Sequence, residues 1–388
     1  MQIIEVKTSR DRKDFLKVPR IIYCNDPNWI SHLDNDIEAV FDPSKNTLFQ
    51  NGEAIRWIMK DSVGNLIGRV AAFINPQLAY THDYPTGGMG FFECINDKNS
   101  AFALFDKCRE WLSERGMEAM EGPVNFGEKD RFWGLLVYNA GYRPPYLMNY
   151  NPPYYKDLFE AYGFKNFYEQ YVYHTTKDHT FPKLFEKKYE RLIQTEGYSF
   201  QTLDKKKLDK YAIDFMTIYN KAWEGTHKHF KPLTKEDVIK MFKSMKQIID
   251  PDIVIFVYHN NSPVAIYINI PELNRIFRYV NGRLDLIGKI KFLYYKWLGK
   301  CRTAYGLVFG IIPEYRNKGI DSAMAMKLKE IIKNKDNYDD LYIAWIGDFN
   351  PKMIKLIEVM NFNKIFTLIT YKKLFDSKAK FERHPVLD

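Results

Sequence analysis

Cysteine is scarce in this 388-residue chain. The four present, Cys24, Cys94, Cys108 and Cys301, are scattered without the spacing of a metal site or a redox pair. That excludes a disulfide-built scaffold and points to reduced thiols. Long apolar runs are also absent, and none approaches the ~20 residues of a membrane-spanning helix. The opening Met1-Gln-Ile-Ile-Glu-Val6 reads as a first strand rather than a signal peptide. No nucleophile elbow, Ser/His/Asp order or dinucleotide fingerprint occurs. No nucleic-acid motif accompanies the formal charge of +9, so nucleic acid is not an expected partner. These absences leave a globular protein expected in the cytoplasm, either free or at the inner membrane surface.

What is present fits that class. Hydrophobic residues make up 46% and charged residues 27%, which suits packed cores, and the length suits two domains. The aromatic share is high at 16%, with 27 Tyr and 28 Phe, implying apolar pockets or interfaces beyond a routine core. The positive balance fits a polyanionic cofactor or an acidic membrane surface. Basic clusters at Lys183 to Arg191 and Lys205 to Lys210 read as solvated helix faces near a junction at residue 197.

The richest stretch runs from Gly306 to Asp321. Leu307 to Ile312 reads as a buried strand, and Ile320, Ala323, Met324, Leu328, Ile331 and Ile332 recur at helical spacing. Between them lies Arg316-Asn317-Lys318-Gly319. A helix start offers unpaired N–H groups and the positive end of the helix dipole, which suits phosphate. Gly319 would let an anion approach the backbone, while Arg316 and Lys318 add charge beside it. Downstream, Leu341 to Ile346 reads as a strand, Asn350-Pro351 opens a helix, and Asn361-Phe362 leads into a last strand ending at Tyr371.

This ordered series, over residues 200–373, resembles the GNAT superfamily of CoA-dependent N-acyltransferases. There, a turn after the fourth strand holds the CoA pyrophosphate, the next strand splays away to admit pantetheine, and an Asn-led helix closes the site. The resemblance implies an α/β (α+β) fold, with acetyl-CoA or a longer acyl-CoA as co-substrate. It implies binding by Phe309, Ile311, Ile312, Arg316, Asn317, Lys318, Gly319, Ile320, Asp321, Asn350 and Met353. Two positions depart from the family pattern. Asp321 stands where Gly or Ala is usual and would oppose a pyrophosphate unless it points away as a helix cap. Ile357 stands where many members carry a Tyr that protonates the leaving thiolate.

Much of this is said twice. Glu160-Ala-Tyr-Gly-Phe164 matches Glu358-Val-Met-Asn-Phe362, each running on to a Tyr, at 173 and 371, and Asn151-Pro152 matches Asn350-Pro351. Strand–turn–strand patterns recur at Ile55 to Ile74 and Ile253 to Ile270. The first copy has Asn96-Asp-Lys-Asn-Ser-Ala101 where its phosphate turn should be, without glycine or arginine. The expectation is therefore a tandem fold of two mixed central sheets flanked by helices. Residues 1–197 form a degenerate GNAT-like domain, and 198–388 a GNAT domain with the single acyl-CoA site.

Amine acylation needs a base to free the amine. Glu272 and Asp348, each just after a strand, and Glu224, in the loop with His227 and His229, are the candidates. The two histidines lack a third ligand at local spacing, so no metal is expected. Tyr146, Tyr154, Trp223 and His227 are candidates for the acceptor pocket. The Pro- and Tyr-rich run Pro144 to Tyr155 reads as a rigid apolar wall ending in a helix from Pro153. The segment Gly282 to Leu298 mixes lysines with bulky apolar residues. It reads either as a helix packed on its own domain with lysines solvated, or as a membrane-surface helix.

Together with Asn220-Lys-Ala-Trp223 and Pro232-Leu-Thr234, these phrases are similar to a bacterial tandem-GNAT branch that includes acyltransferases acting on a long-chain base in ceramide synthesis. The implied reaction moves an acyl group, long-chain included, to a primary amine on a small molecule or lipid by direct attack. Peripheral membrane contact would suit such an acceptor. A non-enzymatic acyl-CoA-binding protein and a Fem-like, aminoacyl-tRNA-dependent transferase are the rival readings.

Overall fold

The computed structural model describes residues 1–81, 83–224 and 231–387. In the first half, β1 (Gln2–Glu5) leads to α1 (Ser9–Ile22) and α2 (Asp34–Val40), then to the antiparallel β2 (Glu53–Lys60) and β3 (Leu66–Ile74). A short α3 (Pro76–Ala79) precedes β4 (Thr86–Cys94), α4 (Lys98–Ser113) and β5 (Ala119–Gly122). The half closes with β6 (Leu135–Asn139), α5 (Tyr154–Tyr162) and β7 (Lys165–Thr176). Helix α6 (Lys183–Gln194) bridges to the second half.

There the series repeats: β8 (Tyr198–Thr202), α7 (Leu208–Trp223), α8 (Lys235–Met245), β9 (Val254–His259) and β10 (Ser262–Pro271). Two helices, α9 (Asn274–Phe277) and α10 (Leu286–Trp297), intervene before β11 (Thr303–Ile311). Then come α11 (Ile320–Lys335), β12 (Asp340–Gly347), α12 (Pro351–Val359) and β13 (Asn363–Leu374). The matched phrases sit at matched places. Gly163 (φ 96°) ends α5 and Asn361 (φ 58°) follows α12, each turning the chain through the left-handed region into a last strand.

The expected two mixed sheets meet edge to edge and form one sheet of 13 strands. Its order is β1-β2-β3-β4-β5-β13-β7-β12-β11-β10-β9-β8, with β6 paired to β13. Only β4/β5 and β11/β12 are parallel among the recorded pairs. The joint is an exchange: β7 of the first half pairs with β12, and β13 of the second half pairs with β5, while β7 and β13 pair with each other. Alternation along these strands explains the shared core. Val172 from β7, Tyr342 from β12, Phe366 and Leu368 from β13, and Leu136 and Met148 from the first half are buried in one cluster. Each half also has a core of its own, but this central cluster closes only when both are present.

Candidate active site

The parallel pairing of β11 and β12 starts at Thr303/Asp340 and stops at Gly306/Ile343. Beyond that point the two strands part. Leu307, Val308 and Phe309 on one side and Ile343, Ala344 and Trp345 on the other are only half-buried. Apolar residues in the middle strands of a sheet covered on both faces are normally buried, so an open gap lies between them. A register shift opposite Ile268/Asn269 leaves Leu307 without a partner on β10, next to the place where β12 departs. Such a bulge reverses the facing of the residues on either side of it. Tyr305 accordingly packs with the aromatic loop of the first half, whereas Phe309 faces α11 and α12.

On the α11/α12 face the gap opens into an apolar pocket of about 60 Å³ of free volume, lined by Tyr267, Phe309, Leu328, Ile343, Met353 and Ile357 among others. The predicted residues Phe309 and Met353 thus meet in one cavity. Tyr267 was not foreseen. Its hydroxyl lies at the apex of the gap, 3.3 Å from where a Cβ on Gly306 would stand, and burial pushes its phenol above the ordinary value. Ile357, in the position of the missing Tyr, is buried in the pocket wall.

At the far end of β11, Ile311 and Ile312 lead through a short 3-10 turn to Arg316, Asn317 (φ 62°), Lys318 and Gly319 (φ 87°). Gly319 is the N-cap of α11 and no side chain caps that helix, so its first N–H groups are left to an external acceptor. Ile320 is buried and anchors the first turn. Arg316 is largely committed elsewhere, donating to the Ala222 carbonyl at 2.8 Å and the Ile311 carbonyl at 3.3 Å. Lys318 sits with its ammonium 4.4 Å from the Tyr315 ring. Two cations come from α6, which sequence reading left as a solvated face. Lys188 lies across Gly319, its Cδ 3.1 Å from a Cβ placed there, and Arg191 donates to the Lys318 carbonyl at 3.1 Å.

Asp321 is not the cap. It is the second residue of α11, where its charge favours the helix dipole but opposes any anion bound at the turn. Asp321→Ala is therefore expected to tighten CoA several-fold while costing about 0.3–1 kcal/mol of stability. Calorimetry and thermal melting on the same samples check both. Asn350, also expected at the CoA site, caps α12 by accepting from the Met353 N–H at 3.2 Å.

The first half closes both features. Its β4/β5 pairing also stops early, at Gly88/Glu121, but the segment after β5 plugs the gap. Val124 donates to the Met89 carbonyl at 2.8 Å, and a Cβ on Gly90 would fall 1.9 Å from the Val124 oxygen. Helix α4 is capped by its own carboxylate, Asp97, which accepts from the Ser100 N–H at 2.7 Å.

The opposite face of the open gap belongs to both halves. Half-buried Tyr142, Tyr150, Tyr305 and Trp345 surround the shared core there. Glu272, just beyond β10, is 2% exposed. Its Oε1 accepts the Tyr146 N–H at 2.8 Å and the Asn274 N–H at 3.0 Å, and its Oε2 lies 3.7 Å from Arg275 Nε. Burial raises its carboxyl above the ordinary value, against the opposing pull of those amides and Arg275. The Tyr146 hydroxyl bonds Asp36, whose carboxyl is also raised by burial. Burial raises the Tyr305 phenol, and Glu272 and Asp130 add to that, so these two carboxylates border this face. Cys301 donates to the Glu272 carbonyl at 3.3 Å, and burial pushes its thiol up to about 12, so it offers no thiolate.

The other predicted residues lie apart. Asp348 pairs with Arg383 near the β7 side of the sheet, and Glu224 is exposed at the C-terminus of α7. Trp223 lies against β11 at Gly310, where a Cβ would come 2.7 Å from the indole. Tyr154 packs half-buried against the core of the first half, donating to the Cys94 carbonyl at 2.8 Å. His227 and His229 fall outside the described residues. Among the described residues, no group of three or more His, Cys, Asp or Glu is placed to hold a metal ion. None of their helices is long and apolar enough to cross a membrane.

Two GNAT-type units sharing one sheet, one open and one plugged, define a tandem GNAT fold. A tandem GNAT protein of the clavulanic acid biosynthesis pathway superposes with a TM-score of 0.56 at 9% identity, over 97% of this chain and 99% of that one. No family model matches the chain. By sequence it is 24% identical over 379 residues to the bacterial ceramide synthase of Caulobacter vibrioides, covering 96% of this chain and 97% of that protein. It is 23% identical over 355 residues to protein YghO of Escherichia coli, covering 90% and 89% respectively.

Proposed function

We propose that the protein is an acyl-CoA-dependent N-acyltransferase whose acceptor is a primary amine on an apolar body, a lipid long-chain base being the class that fits best. The observation that carries this reading is the open gap between β11 and β12, which joins an apolar pocket on one face to a carboxylate-bordered aromatic face on the other. The uncapped start of α11 with Lys188, Arg191 and Lys318 around it fits a diphosphate, and the pocket fits an apolar chain. Acyl-CoA, when bound, supplies an activated acyl group. A relative named ceramide synthase, matched end to end, supports a lipid amine as the acceptor.

Roles follow from position. Glu272 takes the proton from the acceptor nitrogen at Oε2, the oxygen that accepts neither the Tyr146 nor the Asn274 N–H. Tyr267, kept protonated by burial, donates to the leaving sulfur in place of the absent Tyr at 357. The unpaired backbone at Leu307 is the candidate donor to the thioester oxygen. The raised thiol of Cys301 favours direct attack over an acyl-enzyme. The first half serves as scaffold and acceptor wall through Tyr146 and Tyr150. A protein that merely stored acyl-CoA would need the pocket and the turn, but not a buried carboxylate across the gap.

Calorimetric titration with CoA should find one site per chain. Lys188→Ala should weaken it about tenfold, the loss of one charge-assisted contact of ~1.5 kcal/mol. Two equal sites, or affinity unchanged in Lys188→Ala, would contradict the assignment.

A further inference from the structure

Helix α10 exposes its apolar residues rather than its lysines alone. Leu286 is 75% exposed, Ile290 59%, Leu293 64% and Trp297 78%. At about 100° per residue these four fall within roughly 60° of one another on the helix, and Ile287 and Tyr294 widen the same stripe. The opposite face is the packed one: Gly288 is buried, the Phe292 ring lies tilted 5.5 Å from that of Phe277, and Tyr295 stacks on Tyr279 at 3.8 Å. A helix packed on its own domain with lysines solvated is thus one part of what the structure shows. The helix does pack, but it leaves a second apolar stripe in water.

Charge decides what covers that stripe. Lys291 flanks it on one side, Lys289 and Lys296 on the other, and Arg283 and Lys300 stand at the two ends; all five are exposed. The only acid in this segment, Asp285, is spent capping the helix by accepting from the Gly288 N–H at 2.8 Å. An apolar stripe bordered on both sides by lysines suits an anionic lipid surface: rings and aliphatic chains enter the headgroup boundary while ammonium groups reach phosphates. A second copy of the chain would bring the same lysines against each other.

From this we infer that α10 docks the protein on anionic membranes, with Leu286, Ile290, Leu293 and Trp297 inserted. The inference goes beyond acyl transfer and stands without it. Its position nevertheless bears on the site. The helix belongs to the insertion between β10 and β11, and it packs through Phe277 and Phe292 on the cluster that holds Tyr146, whose N–H is bonded to Glu272. Docking through α10 would set the acceptor face of the gap beside the lipid surface.

Vesicle flotation of the full chain, with no CoA thioester present, tests this. The protein should float with phosphatidylcholine vesicles containing phosphatidylglycerol, bind pure phosphatidylcholine less, and release at high salt. Ile290→Glu with Trp297→Glu should weaken binding at least about tenfold with an unchanged melting temperature, since both side chains are exposed. Lys289→Glu with Lys291→Glu should give a similar loss even if the apolar variant misfolds. Absence of binding, binding undiminished in both variants, or a concentration-dependent dimer that the apolar variant dissolves while the parent ignores vesicles would overturn it.

Discussion

Glu272→Gln is expected to lower turnover by about 10²- to 10⁴-fold, the usual contribution of a general base, and to leave CoA affinity unchanged. Glutamine keeps an oxygen for the Tyr146 and Asn274 N–H groups, so the local backbone should hold. The pH profile carries independent information. Burial raises this carboxyl, so activity should rise with pH through a value above the ordinary carboxylate range. Stability should move the other way. Between the ordinary value and the raised one, the folded protein keeps a proton that the unfolded chain gives up. The stabilisation is complete below the ordinary value and is lost as pH rises through the raised one. In Glu272→Gln both the acid limb of activity and this loss of stability should disappear. A variant that retains parental turnover would remove Glu272 from the mechanism.

Cutting the chain at 197/198 should destroy the second half rather than liberate it. Strand β12 would lose β7, and β13 would lose β5, β6 and β7. Tyr342, Phe366 and Leu368 would face water where Leu136, Met148 and Val172 now cover them. At about 1.5–3 kcal/mol for each large apolar side chain, exposing those three alone costs roughly 5–9 kcal/mol. Domains of this size are stable by only ~5–15 kcal/mol. Fragment 198–388 should therefore aggregate or stay unfolded, and co-expression with 1–197 should rescue it. A soluble, active 198–388 fragment would show that the exchange of β7 and β13 is dispensable.

The local features of the site were legible because their signals are local. The strand, turn and helix around Gly306 to Leu328 follow from one switch of apolar spacing, and the paired phrases ending at Phe164 and Phe362 fall at the α5–β7 and α12–β13 turns. What sequence could not show depends on distant contacts. The exchange joins strands far apart in the chain, and pairing of that kind leaves no periodicity. Lys188 and Arg191 look like any solvated stripe until α6 is packed across α11. Tyr267 sits in an apolar run, Val264 to Ile270, with nothing local to mark its hydroxyl. Tyr154 shares its proline-rich run with Tyr146, yet α5 turns it against the first core while Tyr146 stays at the boundary. The helix start after Gly319 follows from the spacing that begins at Ile320, but the alternative of Asp321 as the cap fails because the positive-φ Gly319 takes that place.

The most direct test is release of free CoA thiol from a long-chain acyl-CoA, measured with and without a long-chain primary amine. The account predicts release only when both are present, continuing over many turnovers, with the amide accumulating in equal amount and with Glu272→Gln slower by about 10²- to 10⁴-fold. Tight binding of acyl-CoA with no amine-dependent release for any apolar primary amine would contradict it.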